Sequence, residues 1–210
     1  VTDTERIAEI TTADELTDLV GPPLPRVAEK VRSSLHPLDV AWLAESPFCL
    51  VATSSADGTC DVSPKGDPPG FTLVLDDTTI VVPDRPGNRR VDGFRNLLDN
   101  PHVGLIYLVP GRGDTLRING RARLLRDAPF FDRMTVKGHR PKLAMLVDVE
   151  EVFYHCSKAF LRSRLWEAES WHPDAVPSRA RIAKSLERPE DSMAELERYY
   201  GPSYATKLYG

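Results

Sequence analysis

HVGLIYLVP (residues 102–110), GRGD (111–114) and TLRINGRARLL (115–125) read as two long strands joined by a tight turn. β-branched and aromatic residues fill the strands, and the glycines between them supply the backbone freedom a hairpin needs. In the second strand Thr115 and Arg117 alternate with Leu116 and Ile118, so the two polar side chains share one face of the sheet. An arginine on such a face needs a partner, and Asp61 is a carboxylate that could serve.

The same period extends outward in both directions. Upstream, FCLVATS (48–54), a turn at Asp57-Gly58, TCDVSP (59–64), a loop KGDPPG (65–70), FTLVLD (71–76), a turn at Asp76-Asp77 and TTIVVP (78–83) predict a four-stranded meander. A Pro- and Gly-rich loop over 83–88 leads into RRVDGFRNLLDN (89–100), where Val91, Phe94, Leu97 and Leu98 have helical spacing and Pro101 marks the end. Downstream, a helical excursion over 128–136 precedes a last strand, LAMLVDVEEVFYH (143–155). Six or seven antiparallel strands interrupted by one helix suggest a closed or partly closed barrel, which protects sheet edges.

Helices flank this core. Thr12 and Glu15 have capping-box spacing and open a helix that Gly21, Pro22 and Pro23 stop. A second helix begins near Pro25 with Val27, Val31 and Leu35 on one face, and a third begins at Pro37 with Val40, Trp42 and Leu43 apolar. The expected organisation is a helical segment over 1–46, a barrel over 47–155 and a helical extension over 156–210.

Composition restricts the chemistry. The 210 residues are 41% hydrophobic and 28% charged, with a formal net charge of -4. That balance excludes a bulk electrostatic attraction to nucleic acid, so any anion site must be local. No run of about eighteen apolar residues occurs, and VTDTERIAEI is too polar for a signal peptide, so no membrane span is expected and the cytosol is the expected compartment. Cys49, Cys60 and Cys156 are odd in number and widely spaced, which predicts reduced thiols in or near the core. The five histidines have no metal-ligand spacing, and no metal is expected.

Four clusters carry potential chemistry. DRPGNRR (84–90) sets Arg85, Arg89 and Arg90 around a turn between strand and helix, where unpaired N–H groups and the helix dipole favour an anion. A solvated basic loop is the plainer alternative. VSPKGD (62–67) brings Ser63 and Lys65 to a strand end, and TLRING supplies Thr115 and Arg117. In HCSKAFLRSRLW (155–166), His155, Lys158 and Arg162 are expected to share a helical face, and pairing with nearby acids would explain that face as well as a ligand would.

The order and spacing of VSPKGDPPGF, DRPGNRR, NPHVGLIYLVPG, TLRINGRARLLRD and HCSKAFLRSRLW resemble the pyridoxamine 5'-phosphate oxidase-related FMN-binding proteins, in particular a bacterial subgroup of FMN-dependent enzymes. The resemblance runs over roughly 25–170. It implies a mainly β fold with flanking helices, an antiparallel, Greek-key-like, FMN-binding split β-barrel. It also implies a homodimer with FMN at the interface. The phosphate is then expected on Ser63, Lys65, Arg85, Asn88 and Arg89, with either Arg89 or Arg90 in the family's phosphate-binding pair. Thr115 and Arg117 are expected to approach the flavin from the partner chain, and Lys158 and Arg162 to complete the site. Arg117 or Lys158 would place a cation near the flavin N1.

The implied activity is hydride transfer between FMN and a nicotinamide or other small organic substrate. No catalytic acid or base is identified. A flavin carrier without turnover, or a barrel that holds coenzyme F420 or haem, is the alternative. The true oxidases hold pyridoxine on an arginine- and histidine-bearing strand, whereas residues 156–210 read as helix, so vitamin B6 phosphate oxidation is not expected.

Overall fold

The computed structural model describes residues 7–209, so the helical expectation for residues 1–6 lies outside the described residues. The chain divides into two compact units, Val1–Val31 and Arg32–Gly210. In the first, helix α1 (Ala13–Val20) starts at Thr12, whose hydroxyl accepts from Glu15 N–H while the Glu15 carboxylate accepts from Thr12 N–H, the expected capping box. Gly21, at φ 80°, ends it. Helix α2 covers only Pro25–Ala28. The expected continuation to Leu35 fails because Arg32 pairs its backbone with Val152, and that pairing holds the chain extended.

The second unit is built on one seven-stranded antiparallel sheet. Its strands are β1 (Phe48–Ser54), β2 (Cys60–Gly66), β3 (Leu73–Val74), β4 (Thr79–Pro83), β5 (His102–Leu108), β6 (Thr115–Leu125) and β7 (Ala144–His155), in spatial order β2-β1-β5-β6-β7-β4-β3. The predicted hairpins β1–β2, β3–β4 and β5–β6 all form. The predicted meander does not, because β2 and β3 end up at opposite edges of the sheet. The third strand is also shorter than FTLVLD, since Pro68 and Pro69 precede it and Thr72 turns inward to hydrogen-bond Tyr107 Oη at 3.1 Å.

Strands β5, β6 and β7 follow one another, while β4 returns beside β7, which is a Greek-key arrangement. Helix α4 (Asp92–Asp99) occupies the long connection from β4 to β5 and packs across β1, β2 and β6. Leu97 is its buried anchor, and Asn96 Nδ2 donates to the buried Thr53 hydroxyl at 3.1 Å. The core beneath the sheet includes Val51, Leu105, Ile118 and Val152, which lie opposite one another along the register. At the β6–β7 bulge Gly120 is obligatory, since a Cβ there would lie 2.1 Å from the Asp148 carbonyl oxygen.

The remaining helices are α3 (Pro37–Glu45), α5 (Lys158–Ser163), α6 (Arg179–Leu186) and α7 (Met193–Tyr199). The excursion predicted over 128–136 is a 3-10 turn at Phe131–Met134, where Phe131 and Met134 join a second apolar cluster with Val81, Ala144 and Leu146. Helices α6 and α7 pack on each other through Ala180, Ala183 and Leu196. Among the described residues no helix is long and apolar enough to cross a membrane. Cys49 is buried and its thiol is pushed up to about 12 by burial, whereas Cys60 and Cys156 are exposed, contrary to the expectation of core thiols.

Helix α3 carries a fully buried carboxylate, Asp39. Asp39 accepts from Arg32 at 2.6 and 3.1 Å and from His36 N–H at 2.7 Å. Burial works to raise its pKa, but the hydrogen bonds from Arg32, His36 and Tyr154 outweigh burial and hold it below the ordinary 3.8. Asp39→Ala is therefore expected to cost about 3 kcal/mol at pH 7, the low end for a broken buried pair because Arg32 is partly open to water. A carboxylate with a depressed folded pKa stabilises above its unfolded value and loses that contribution as pH falls through the folded one. Urea denaturation should show the gap between wild type and Asp39→Ala narrowing below pH 3.8; a gap unchanged to about pH 2 would contradict this assignment.

Candidate functional site

Strand parity decides where each candidate residue points. Ser63 and Lys65 of β2 lie opposite Val51 and Cys49 of β1, so they face inward at the edge of the sheet. The loop over 84–91 then passes in front of them on its way from β4 to α4. Between loop and strand lies a cavity of about 650 Å³ whose lining includes Ser63, Lys65, Arg85, Asn88, Arg89 and Arg90. This volume falls within the usual range for small-molecule and cofactor sites.

The charges in the cavity are mostly matched. Lys65 Nζ donates to Asp84 at 2.7 Å and stands 4.5 Å from the centroid of the Phe94 ring. Arg90 pairs with Asp92 in the first turn of α4, and that hydrogen bond raises its pKa. Ser63 Oγ donates to Asp61 at 2.7 Å. Arg85 pairs with Asp67 and donates to the Met134 carbonyl at 2.7 Å, so much of its guanidinium is already engaged. Arg89 is exposed at φ 62°, and it is the one cation of the lining with no carboxylate partner among the described residues. The Asn88 side chain accepts from Arg90 N–H at 2.9 Å and shapes the turn that presents Arg89.

Beside this cavity, helix α4 packs closely on β1 and β2 at Gly93. A Cβ there would lie 2.8 Å from Asp61 Oδ2 and 3.3 Å from Thr53 Oγ1. Gly93, Phe94 and the carboxylates Asp61, Asp67, Asp84 and Asp92 are site features that sequence reasoning did not assign. The aromatic was visible as a helix-face residue, but nothing in sequence spacing reveals which acid meets which cation.

The other four candidates lie elsewhere. Thr115 and Arg117 lie opposite His155 and Phe153 of β7, and Arg117 also lies opposite Ile106 of β5. Ile106 in turn lies opposite Leu50, which lies opposite Pro64. Arg117 is therefore on the outer face, opposite to that of Ser63 and Lys65. Its partner is Asn119 Oδ1 at 3.0 Å, with Phe153 beneath the guanidinium at 5.5 Å, so of the readings open for Arg117 the pairing with Asp61 is not made. Phe48, Leu50, Ile106, Leu108 and Phe153 form a half-buried apolar band on that face. Lys158 and Arg162 are on α5 outside the cavity, and His155 ends β7, so the three do not share one helix face. Trp166 anchors this region by donating from Nε1 to the Arg112 carbonyl at 2.7 Å and stacking on Phe160.

No curated protein matches the chain. Among solved structures it is similar to a putative pyridoxamine 5'-phosphate oxidase from Lactobacillus delbrueckii at 22% identity, covering 58% of this chain and 95% of that one with a TM-score of 0.45. It is similar to an FMN-binding protein from Syntrophomonas wolfei at 11% identity, covering 57% and 90% with a TM-score of 0.43. The haem storage protein HutZ of Vibrio cholerae is similar at 14% identity, covering 58% and 93% with a TM-score of 0.38. The model of the pyridoxamine 5'-phosphate oxidase family matches residues 35–156, a span holding all seven strands, helix α4 and the cavity. The chain belongs to the pyridoxamine 5'-phosphate oxidase family and has its split-barrel fold.

Proposed function

We propose that this protein is an FMN-dependent oxidoreductase that works as a homodimer on a small organic substrate. The observation that carries the reading is the cavity between β2 and the 84–91 loop, where Arg89 has no carboxylate partner among the described residues while its neighbouring cations are paired. A ligand phosphate at this point would gain charge-assisted hydrogen bonds from Arg89, with Ser63 and Lys65 facing it across the cavity. The lining brings Ser63, Lys65, Arg85 and Arg89 to one cavity, a donor set that suits a phosphate-bearing flavin.

When bound, FMN supplies hydride transfer through its isoalloxazine ring, the chemistry that a nicotinamide or small organic substrate requires. The chain's own part is binding and orientation. Lys65, held by Asp84 over Phe94, keeps a fixed positive charge at the wall. Arg117 faces away from this cavity within its own chain, so its contribution requires a second copy. The half-buried apolar band around Arg117 is consistent with that arrangement, since its remaining apolar surface would gain from burial against a second copy. Arg117 of one chain would then stand near the phosphate loop of the other, whereas Thr115 is buried within its own chain; Lys158 with Arg162 would extend the same basic rim.

Two outcomes follow from this reading. Arg89→Ala should weaken FMN binding by about ten- to a hundred-fold, or roughly 1.5 to 3 kcal/mol, and leave riboflavin binding nearly unchanged. Titration calorimetry with both ligands checks this, and equal losses would return the loop to a solvated turn. Light scattering at micromolar concentration should give a dimer, since an obligate interface buries upwards of about 2,000 Å²; a monomer would remove the composite site.

A further inference from the structure

The segment after α7 carries a contact outside the span of the family match. Gly201 leads into a 3-10 run at Pro202–Lys207, and Tyr209 then meets Asp67, a residue 142 positions earlier. The Tyr209 hydroxyl donates to one oxygen of Asp67, and Arg85 Nε donates to the other. The Asp67 side chain is only 1% exposed and that of Arg85 13%. Arg85 continues to the carbonyl oxygens of Met134 at 2.7 Å and His139 at 3.4 Å. The Tyr209 ring is stacked on His139 at 5.6 Å, with Lys137 Nζ and Arg85 Cζ 5.5 and 5.9 Å from its centroid.

The placement of the two charged partners gives this cluster its consequence. Asp67 directly follows β2, the strand of Ser63 and Lys65, whereas Arg85 opens the loop that presents Asn88 and Arg89. Their ion pair therefore ties together the two walls of the cavity. A buried carboxylate that loses one of its donors pays the desolvation cost of an unsatisfied oxygen, so the pair depends on the tyrosine hydroxyl. The ring contacts with His139 and Lys137 hold the turn over 134–139 in the same unit.

We propose that Tyr209 is a positioning residue for the phosphate end of the cavity: through Asp67 and Arg85 it fixes the 84–91 loop at the distance from β2 that an anion bridging the two walls requires. This rests on the phosphate reading of the cavity. Tyr209 itself does not line the cavity, and its action on a ligand is through Arg85.

The test uses full-length Tyr209→Phe and Tyr209→Ala variants. Tyr209→Phe removes the hydroxyl and keeps the ring, so a folded variant is available if the alanine does not fold. Amide hydrogen exchange on flavin-free protein should accelerate over 83–91 by about tenfold in Tyr209→Ala and by a smaller factor in Tyr209→Phe. FMN affinity should fall by about five- to tenfold with riboflavin affinity changed by less than twofold, because only the phosphate reads the spacing of the walls. Unchanged exchange over 83–91 in both variants would overturn the strap. Equal losses of FMN and riboflavin would make Tyr209 a general stabiliser and overturn the positioning role. Absence of FMN binding in the unmodified chain would instead sink the cofactor reading, with the exchange experiment still deciding whether Tyr209 holds the loop.

Discussion

β4 pairs with β7 at one side of the sheet, and the strand that follows it, β5, pairs with β1 and β6. The chain must therefore cross over between them, and the crossover is the 84–91 loop with helix α4. This constraint sets everything in the candidate site. It carries the loop past the inward face of β2, and it presses α4 so closely on β1 and β2 that any side chain at position 93 would displace the Asp61 carboxylate. A crossover of this kind leaves loop N–H groups and a helix start exposed at the sheet edge, a setting that favours an anion.

Electrostatics then decides which basic residue is available. In a cavity with cations and carboxylates in near balance, a cation already hydrogen-bonded to an acid gains little from a second anion. Lys65, Arg85 and Arg90 each have such an acid, in Asp84, Asp67 and Asp92. Arg89, at the cavity wall with a left-handed backbone, has none among the described residues. The same matching explains why a chain with net charge -4 can hold a local anion site without a basic surface.

The sequence was most legible where structure is local. The β5–β6 hairpin and the Thr12–Glu15 capping box form from residues within a few positions of each other, and the patterns that encode them suffice. The helix expected to reach Leu35 and the meander expected over 48–83 failed for the opposite reason. Arg32 is captured by Val152, and β2 and β3 are sent to different edges, through pairings that no local pattern records. The site divides in the same way. Alternation correctly put Thr115 and Arg117 on one face, but the inside of the barrel and the acid that meets each arginine are set by the register of distant strands. Tyr209, one of four tyrosines in the last dozen residues, carries no signal of its contact with Asp67.

Opposite faces of one sheet cannot both surround one ligand, so the account stands on the outer-face Arg117 of one copy serving the Arg89 loop of another. Complementation between two damaged chains tests this directly. Arg89→Ala and Arg117→Ala proteins, each deficient in FMN binding alone, are mixed in equal amounts under conditions that exchange subunits. Random pairing makes half the dimers mixed, and each mixed dimer has one site with both arginines intact. The account predicts wild-type FMN affinity restored at about a quarter of all sites, following the dimer stoichiometry of a shared-site interface. Affinity no better than that of either variant alone would contradict it and confine the site to a single chain.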